Sequence, residues 1–585
     1  MLVDLRNSEN YEASKCLSLS IQFIKIAYIF GLQGKDMLYQ KRGGSVVLTR
    51  WIRNVLKPGK RYTQDIEKSK QQASSEPINP SLSHTLSLLK LKLGQSSDFI
   101  IRDFSQSPTH AGQFAVCYIE GLIDQNLLSD LMEGLITEMV STDFFKLEGN
   151  NAASLLKRTI PSGNIQMIHS QNEIYLSILS GNAVIAIDGS TYALAVSIAG
   201  GVRRAIQEPS TQTVVRGPKE GFTEDVSTNI TLIRRKLRTP DLKFESHIIG
   251  RYTQTKVILA YIKGVANPEI VREITKRLQS IDTDSILESG YIEEFIQDEP
   301  ITPFPTMLNS ERPDTVVGSL LDGQIAILVD GTPFALIAPV TFFNFFQTAE
   351  DYYQRYDIST FLRALRMVSF LVSLLLPSLF IALTTFQQEM IPTTLLITLM
   401  AQREGTPFPA LLEALMMELM FEVIREAGVR MPRVIGPAVS IVGALVIGQA
   451  AVQAGLVSGA MVIVVAFTAI SNFVIPYFSM ASAVRLLRFA LMLLAAALGL
   501  FGILIGLIPL LVHLVSLKSF GVHYFMPYSP FYKSNMKDLV IRVPWWAMKT
   551  RPSEKSGSNK TRQATHQYPA SSDEIKNNDK SDTQK

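Results

Sequence analysis

The sequence predicts an integral membrane protein in which a soluble α/β region of two repeated subdomains is followed by an α-helical transmembrane bundle. Three observations predict it: long uncharged runs late in the chain, an internal repeat before them, and an uneven distribution of charge. From Ala427 to Lys537 there is no Asp or Glu, although seven Lys and Arg residues fall there. Soluble domains mix both signs of charge, so this region is expected to lie in a different solvent.

Composition argues against several function classes. The net charge of +4 on 585 residues is too small to indicate nucleic-acid binding, and Cys16 and Cys117 are the only cysteines, so no disulfide framework or Cys-based zinc site is expected. The chain has no G-x-S-x-G, H-E-x-x-H or paired C-x-x-C motif. We therefore predict no catalytic site, no cofactor and no bound metal.

The two ends are expected to be peripheral. Residues 1–92 read as an extension and a polar linker; residues 16–32 resemble a signal-peptide core, but acidic residues precede them and no cleavage site follows. We hypothesise that the functional chain starts at Met37. The tail, residues 551–585, has only four apolar residues and is predicted to be disordered.

Residues 93–350 contain one pattern twice. FAVCYIEGLID and, later, GNAVIAIDGSTYAL recur as VILAYIKGVAN and DGQIAILVDGTPFAL. The interval from Tyr118 to Asp188 is 70 residues, and that from Tyr261 to Asp330 is 69. This spacing predicts a first repeat at 93–213 and a second repeat at 241–350, each with a strand, a helix and a closing hairpin. The aspartates of the two Asp-Gly pairs are interpreted as turn residues, with a binding role less favoured.

Residues 214–240, between the repeats, predict a connector helix. Pro218 suits a first helical turn, acidic residues follow it, and basic residues stand at the far end, which complements the helix dipole. One interpretation is a packed strut. The alternative is a helix that docks on a neighbouring subunit and relays a signal toward the membrane, with these candidate coupling residues: Arg216, Glu220, Glu224, Asn229, Arg234 and Arg235.

Four uncharged runs in residues 351–517 are long enough to span a bilayer at about 1.5 Å per residue. They are Met367–Phe386, Val434–Ala454, Leu456–Ile475 and Phe489–Leu517. The last contains glycines and Pro509, so it is expected to be tilted, kinked or folded back. Residues 391–400 could be re-entrant, which leaves the exact number of spans open. Basic residues before the first run and in the post-membrane segment, 518–550, place both termini in the cytoplasm.

Polar residues within the apolar region are candidates for an ion pathway. Glu413 falls on an apolar helical stripe, so it is expected to face water, a partner or ions, or to reach the headgroups. Gln449 and Gln453 lie four apart on one span and Asn472 on the next; such amides line pores or join helices. On the same helix as Glu413, a face with Glu418, Glu422, Arg425 and Glu426 reads as a polar surface.

The sequence also resembles a known family. Glu208-Pro209, VVRGPKEGFTE, Asn229 and IRRKL are similar to the signature of the A subunit of GerA-type spore germination receptors. The resemblance continues through QREGTPFPALLEALMMELMFEVIREAGVRMPRVIGPAVSIVGALVIGQAAVQAGLVS, SNFVIPYFS and DLVIRVPWWAMKTRP, and it covers about residues 90–552.

The resemblance implies a multisubunit receptor in the inner membrane of a bacterial endospore. Such an A subunit works with a transporter-like, nutrient-sensing B subunit and a lipoprotein C subunit, and nutrient binding triggers release of monovalent cations. The A subunit is expected to form a homo-oligomer around an ion pathway, in contact with membrane lipid. Two alternatives stay open from the residues themselves: a secondary transporter, suggested by the Gly/Pro-broken last run, and a non-conducting scaffold of the receptor.

Overall fold

The computed structural model describes residues 76–104, 113–141, 164–200, 208–209, 212–431, 436–532, 535–552, 555–557 and 559–563. The predicted extension at residues 1–36, most of the linker and residues 564–585 of the tail lie outside this set.

The first repeat folds as one antiparallel sheet with helices on it. Its elements are α1 Leu82–Leu93, β1 Phe99–Asp103, β2 Phe114–Ile119, α2 Gln125–Ser141, β3 Ile165–Ile168, α3 Gln171–Leu179, β4 Asn182–Ile187 and β5 Ala193–Ser197. The strand order is β1-β2-β4-β5-β3. All six residues of β2 are buried, which explains its unbroken apolar sequence.

The second repeat has the same topology. Its elements are α4 Val226–Lys236, β6 Leu242–Ile249, β7 Thr255–Ile262, α5 Pro268–Gln279, α6 Ser289–Ile296, β8 Leu308–Ser310, α7 Pro313–Leu321, β9 Ile325–Val329 and β10 Ala335–Ala338. The order β6-β7-β9-β10-β8 reproduces that of the first sheet strand for strand. The internal repeat is therefore present as two sheets of one topology.

Each Asp-Gly hairpin turn caps the helix that opens its repeat. Asp188 Oδ1 accepts from Leu82 N at 2.9 Å, and Asp330 Oδ1 accepts from Val226 N at 3.1 Å. The glycine of each turn donates its N–H in the same way, at 2.8 Å, to Pro80 O in the first repeat and to Glu224 O in the second. These aspartates are turn residues as expected, but they also provide acceptors for N–H groups that a helix cannot satisfy itself.

This equivalence corrects two predicted boundaries. The helix α1 lies in the predicted linker, yet Leu82, Leu86 and Leu89 are buried against the first sheet, so the first repeat starts at Leu82. The connector helix starts at Val226 rather than at Pro218, because the Asp225 side chain accepts from Ser227 N and Thr228 N and so forms the N-cap. It is thus the first helix of the second repeat.

The region after the repeats is helical: α8 Tyr356–Thr385, α9 Thr393–Glu404, α10 Ala410–Arg430, α11 Gly436–Gln453, α12 Gly459–Phe473 and α13 Phe478–Ser516. Among the described residues, α8 and α13 are both long and apolar enough to cross a bilayer. The possible re-entrant segment is α9, whose residues are nowhere buried.

The 39 residues of α13 form a helical hairpin. Gly499 has φ 62° and ψ −141°, values outside the helical range, and Gln387 Oε1 accepts from Leu500 N at 3.3 Å beside the turn. A Cβ at Gly506 would lie 2.5 Å from Leu491 Cδ2, whereas a straight helix would separate these residues by about 22 Å. The last predicted run therefore folds back on itself, and its turn lies next to the end of α8.

Both ends of the helical region meet the second repeat. A hydrogen bond of 2.9 Å joins His513, in the last turn of α13, to Thr302. After it, the short hairpin of β11 Lys518–Ser519 and β12 Val522–His523 packs on the second repeat, where Ser519 Oγ donates to Thr306 O at 2.8 Å. The chain thus enters and leaves the helical region on the same side.

The start of the predicted disordered tail is ordered against the second repeat. Gly557 N donates to Val265 O at 2.6 Å, and Arg551 Nε donates to Leu321 O at 2.8 Å. The low apolar content did not indicate this, because hydrogen bonds rather than an apolar core dock the segment.

Removing the carboxylate of Asp330 should weaken the second repeat. In Asp330→Ala the N–H of Val226 loses its acceptor, and we expect a loss of about 1 kcal/mol in the free energy of unfolding. Asp330→Asn keeps a side-chain oxygen and should lose less. Urea unfolding of the purified chain, followed by circular dichroism, measures both; equal stability of Asp330→Ala and the unsubstituted protein would contradict the capping role.

The second repeat should also lose stability as the pH rises. Burial, with a smaller contribution from the charge of Glu288, raises the pKa of Glu293 from 4.5 to about 7. Between these values the folded protein retains a proton that the unfolded chain has lost, so rising pH favours unfolding. The melting temperature should fall from pH 4.5 to pH 7, and Glu293→Gln should flatten part of that decline. An identical decline in both proteins would show that Glu293 is not responsible.

Candidate functional site

Arg234, on α4, joins the two repeats. Its side chain is fully buried, and its Nε and Nη2 donate to the two carboxylate oxygens of Asp98 at 2.9 and 2.8 Å. Its Nη2 also donates to Ser96 Oγ at 2.8 Å, and its Nη1 to Leu242 O at 3.2 Å. Asp98 precedes β1 in the first repeat and Leu242 opens β6 in the second, so one guanidinium fixes both sheets.

The other coupling candidates have separate contacts. Arg235 Nη2 donates to Gly200 O at 3.0 Å, and Asn229 exchanges hydrogen bonds of 2.8 and 2.6 Å with the backbone of Thr223. Glu220 pairs with Lys236 at 3.0 Å.

Glu224 and Arg216 contribute backbone groups. The Glu224 carbonyl accepts from Gly331 N, and Arg216 N donates to Glu350 Oε1 at 3.2 Å. The apolar face of α4, with Val226, Ile230 and Ile233, is buried within its own chain. These contacts favour the packed strut over a helix docked on another subunit.

A buried ionic network fixes the start of α8. Asp351, just before this helix, accepts from Arg363 Nε at 3.0 Å and from Arg366 Nη1 at 2.8 Å. Arg363 Nη1 also donates to Asp538 Oδ1 at 2.7 Å. From the sequence, these arginines indicated only which side of the membrane the chain starts on. The structure shows that they join the second repeat, the first long helix and the segment that follows α13.

Glu413 lies in the first turn of α10 and is fully buried. Its Oε1 accepts from the backbone N and the hydroxyl of Ser458, which is the N-cap of α12. Its Oε2 lies 3.9 Å from Arg403 Nε and has no hydrogen-bond partner among the described residues. Within one chain, Glu413 therefore anchors the start of α12.

The other pathway candidates lie elsewhere. Gln449 and Gln453 are exposed and one turn apart on α11. Asn472 is buried near the end of α12, where its Oδ1 accepts from Ser373 Oγ at 3.3 Å. About 21 Å of helix separates it from Ser458. Within the described part of the chain, no hydrogen bond joins any two of the four candidates, so a single chain does not bring all four together.

A second group of charges lies between α10 and α13. We call it the charge cluster; its members are Glu418, Glu422, Arg425, Arg485 and Arg488. Glu418 and Arg488 are each about 1% exposed and form an ion pair of 2.8 Å. Arg485 pairs with Glu422 at 2.7 Å, and Arg488 Nη2 lies 3.7 Å from the second oxygen of Glu422.

The cluster corrects the predicted polar surface on α10. Of that face, Glu426 is exposed and pairs with Arg430, whereas Glu418 is buried against α13. The sequence does contain a signal for this cluster. Two glutamates, Glu418 and Glu422, stand four residues apart on one helix, and two arginines, Arg485 and Arg488, stand three apart on an otherwise apolar helix. Arg488 lies ten residues inside α13, so it is about 15 Å from the end of the helix near the second repeat.

No catalytic chemistry is evident around these groups. Among the residues that the structure describes, no set of three or more His, Cys, Asp or Glu side chains could bind a metal. Cys117 lies within β2, and burial raises the pKa of its thiol to about 12, which keeps it protonated and unreactive near neutral pH.

Comparisons with known proteins agree with one another. A family model described as Bacillus/Clostridium GerA spore germination protein matches residues 87–554. Spore germination protein KA of Bacillus subtilis is 48% identical over 85% of this chain and 91% of its own length. Spore germination protein GerLA of Bacillus cereus is 41% identical over 79% of this chain and 93% of its own.

One solved structure is also similar. The N-terminal domain of the A subunit of the Bacillus megaterium spore germinant receptor GerK3 is 42% identical, with a TM-score of 0.37. The match covers 46% of this chain and 98% of that one.

Breaking the ion pair between the repeats should be costly. Arg234→Met leaves the buried carboxylate of Asp98 without a counter-ion, and we expect a loss of about 3–5 kcal/mol in the free energy of unfolding. The double substitution Arg234→Met/Asp98→Leu should restore much of it, since no lone charge remains. Arg235→Met, which loses one hydrogen bond, is the control. Urea unfolding checks all three; a mild effect of Arg234→Met alone would show that the pair does not fix the repeats.

Proposed function

The chain belongs to the GerA family of spore germination proteins, and we propose that it is the A subunit of a nutrient-responsive germinant receptor. The similarity to spore germination proteins KA and GerLA extends over most of each chain, so it covers the soluble repeats and the helical region together. The partners would be the B and C subunits of the same receptor. No catalytic role is part of this proposal.

The helical region is proposed to cross the membrane six times, two more than the number of uncharged runs in its sequence. Glu422 of α10 pairs with Arg485 near the start of α13, while Glu413 of the same helix contacts Ser458 at the start of α12. These contacts make α10 and α12 parallel to each other and antiparallel to the first half of α13, and the turn at Gly499 adds a crossing. The segments are about 22 to 45 Å long, comparable with the roughly 30 Å hydrocarbon core.

The side that contains the second repeat is proposed to be cytoplasmic. It carries Arg355, Arg363, Arg366 and Lys518, whereas Arg403 lies at the opposite end, near the start of α10. A surplus of basic residues favours the cytoplasmic face. An even number of crossings then keeps both flanking segments inside, in the inner membrane of the spore.

The observation that most supports an ion pathway is the exposure of Gln449 and Gln453. The helix α11 is uncharged, and other residues on its outer surface, such as Val446, are apolar. An amide that faces lipid is unfavourable, so two of them one turn apart indicate a surface that meets water or another subunit. We propose that several copies of the chain assemble with these amides around a shared pathway for monovalent cations.

The alternatives have less support. The transporter interpretation depended on a broken last span, and that break is a turn between two antiparallel helices. The scaffold interpretation is favoured by the buried contacts of α4 and becomes the conclusion if the purified receptor does not conduct.

Potassium flux from loaded liposomes tests the proposal, with the chain alone and with its B and C partners. We expect nutrient-dependent flux from the complete receptor. Gln449→Leu and Gln453→Leu should each reduce it, because an isobutyl group cannot solvate a cation. Val446→Leu, on the same exposed helix, is the matched control.

Two results would count against this assignment. Unchanged flux through both glutamine variants, with assembly intact, would exclude the α11 amides as the lining of the pathway. If the receptor binds nutrient but releases no potassium, the ion-pathway proposal is wrong and the scaffold interpretation remains.

A further inference from the structure

We infer that Glu418 and Glu422 form a monovalent-cation site that the Arg488 guanidinium occupies in this structure as a tethered counter-ion. Only the expected effect on ion flux rests on the proposed function. The site itself follows from contacts within the charge cluster.

The position of one nitrogen points to the site. Arg488 Nη2 lies 2.8 Å from Glu418 Oε2 and 3.7 Å from Glu422 Oε1, so a single positively charged group stands between two carboxylates. The two glutamates are one turn apart on α10, which places their carboxylates on the same face. This is the place where one small cation would be attracted to both.

The carboxylates also have unused oxygens. Glu418 Oε1 and Glu422 Oε1 are buried and have no hydrogen-bond partner in the described part of the chain. Arg488 Nε and Arg485 Nε are likewise buried without a partner. Buried polar groups in folded proteins are normally satisfied, so these atoms indicate that the present pairing is incomplete.

A purely structural ion pair in the same chain looks different. Arg234 binds Asp98 through two parallel hydrogen bonds and donates further hydrogen bonds to Ser96 from Nη2 and to Leu242 from Nη1. That bidentate arrangement is the strong geometry for arginine and carboxylate. Arg488 instead contacts Glu418 through one terminal nitrogen, Nη2. A small monovalent cation can make the same single contact.

The occupied site would repel a further cation. Three arginines of the cluster face two glutamates, and Arg425 adds its charge from beside the rings of Phe473 and Phe478, at 5.5 and 5.3 Å. The acidic residues are on α10 and two of the arginines on α13, so a movement between these helices withdraws the guanidinium and exposes the carboxylates.

The connections of the two helices link this movement to the proposed pathway. The two residues that flank α13, Tyr477 and Leu517, both pack in the apolar core of the second repeat. The helix α10 packs against α11, which carries Gln449 and Gln453. Separating α13 from α10 would therefore exchange arginine for a cation next to the helix proposed to line the pathway.

The test measures potassium binding without requiring ion flux. The melting temperature of the full chain in detergent is compared in potassium chloride and in N-methyl-D-glucamine chloride at equal ionic strength. Arg488→Gln removes the counter-ion of Glu418 and leaves Glu422 with Arg485 alone, so potassium should raise its melting temperature above that in the bulky organic cation. The unsubstituted chain, whose site is occupied, and Glu418→Gln/Arg488→Gln should show no such difference.

A second variant keeps the test decisive. Arg485, which is 19% exposed and pairs with Glu422, provides the control: Arg485→Gln removes a neighbouring charge but leaves Arg488 between the two carboxylates, so it should show no potassium effect. A folded Arg488→Gln without a potassium effect would overturn the inference. So would failure of Arg488→Gln to fold in potassium chloride while Glu418→Gln/Arg488→Gln folds, because a cation site would replace the missing charge.

Flux then separates this inference from the proposed function. If the chain conducts, Arg488→Gln should release potassium from liposomes several-fold faster without nutrient, and Arg488→Lys, which keeps the charge, should not. A potassium effect on melting with no flux in any variant would support the cation site and overturn the proposed ion pathway. Nutrient-dependent flux with no effect of potassium on the melting temperature would support the proposed ion pathway and overturn the cation site.

Discussion

The high cost of removing a guanidinium from water determines how the parts of this chain are joined. Arg234, Arg363 and Arg488 are its largest fully buried side chains among the described residues. Each pairs with a carboxylate from a distant segment: Arg234 joins the two repeats, Arg363 joins the first long helix to the segment after the last, and Arg488 joins α13 to α10. A buried arginine is tolerated only where such a partner is fixed in place, so each pair specifies one relative arrangement of the segments.

The sequence predicted what local patterns determine. The two repeats, the Asp-Gly turns and the apolar helices follow from spacing, turn chemistry and hydrophobic runs. The partners of Arg234 and Arg488 were not predictable, because each pairs with a residue about 70 to 136 positions away and several other acidic residues were equally plausible. The capping role of Asp330 was not predictable for the same reason, because its Oδ1 accepts a hydrogen bond from Val226 N, 104 residues earlier in the chain.

The helical region shows a different limit of sequence patterns. The glycines and proline of α13 predicted that it is tilted, kinked or folded back, and the structure decides between these by showing two antiparallel helices joined at Gly499. Exposure was equally hidden: Glu413 and Gln449 are both polar residues on apolar helices, yet one is buried against Ser458 and the other faces outward. Periodicity assigns residues to a face, but the identity of the neighbour on that face comes from tertiary contacts.

The segment after α13 has a consequence for biosynthesis. Tyr524 and Leu539 belong to the same apolar core as Phe342 and Phe345, although nearly two hundred residues of helical chain separate the two pairs. A ribosome makes the second repeat first and this segment last. The core of the second repeat therefore stays open until the whole helical region has been synthesised, and a nascent chain that stalls within those helices displays the uncovered phenylalanines to chaperones and proteases.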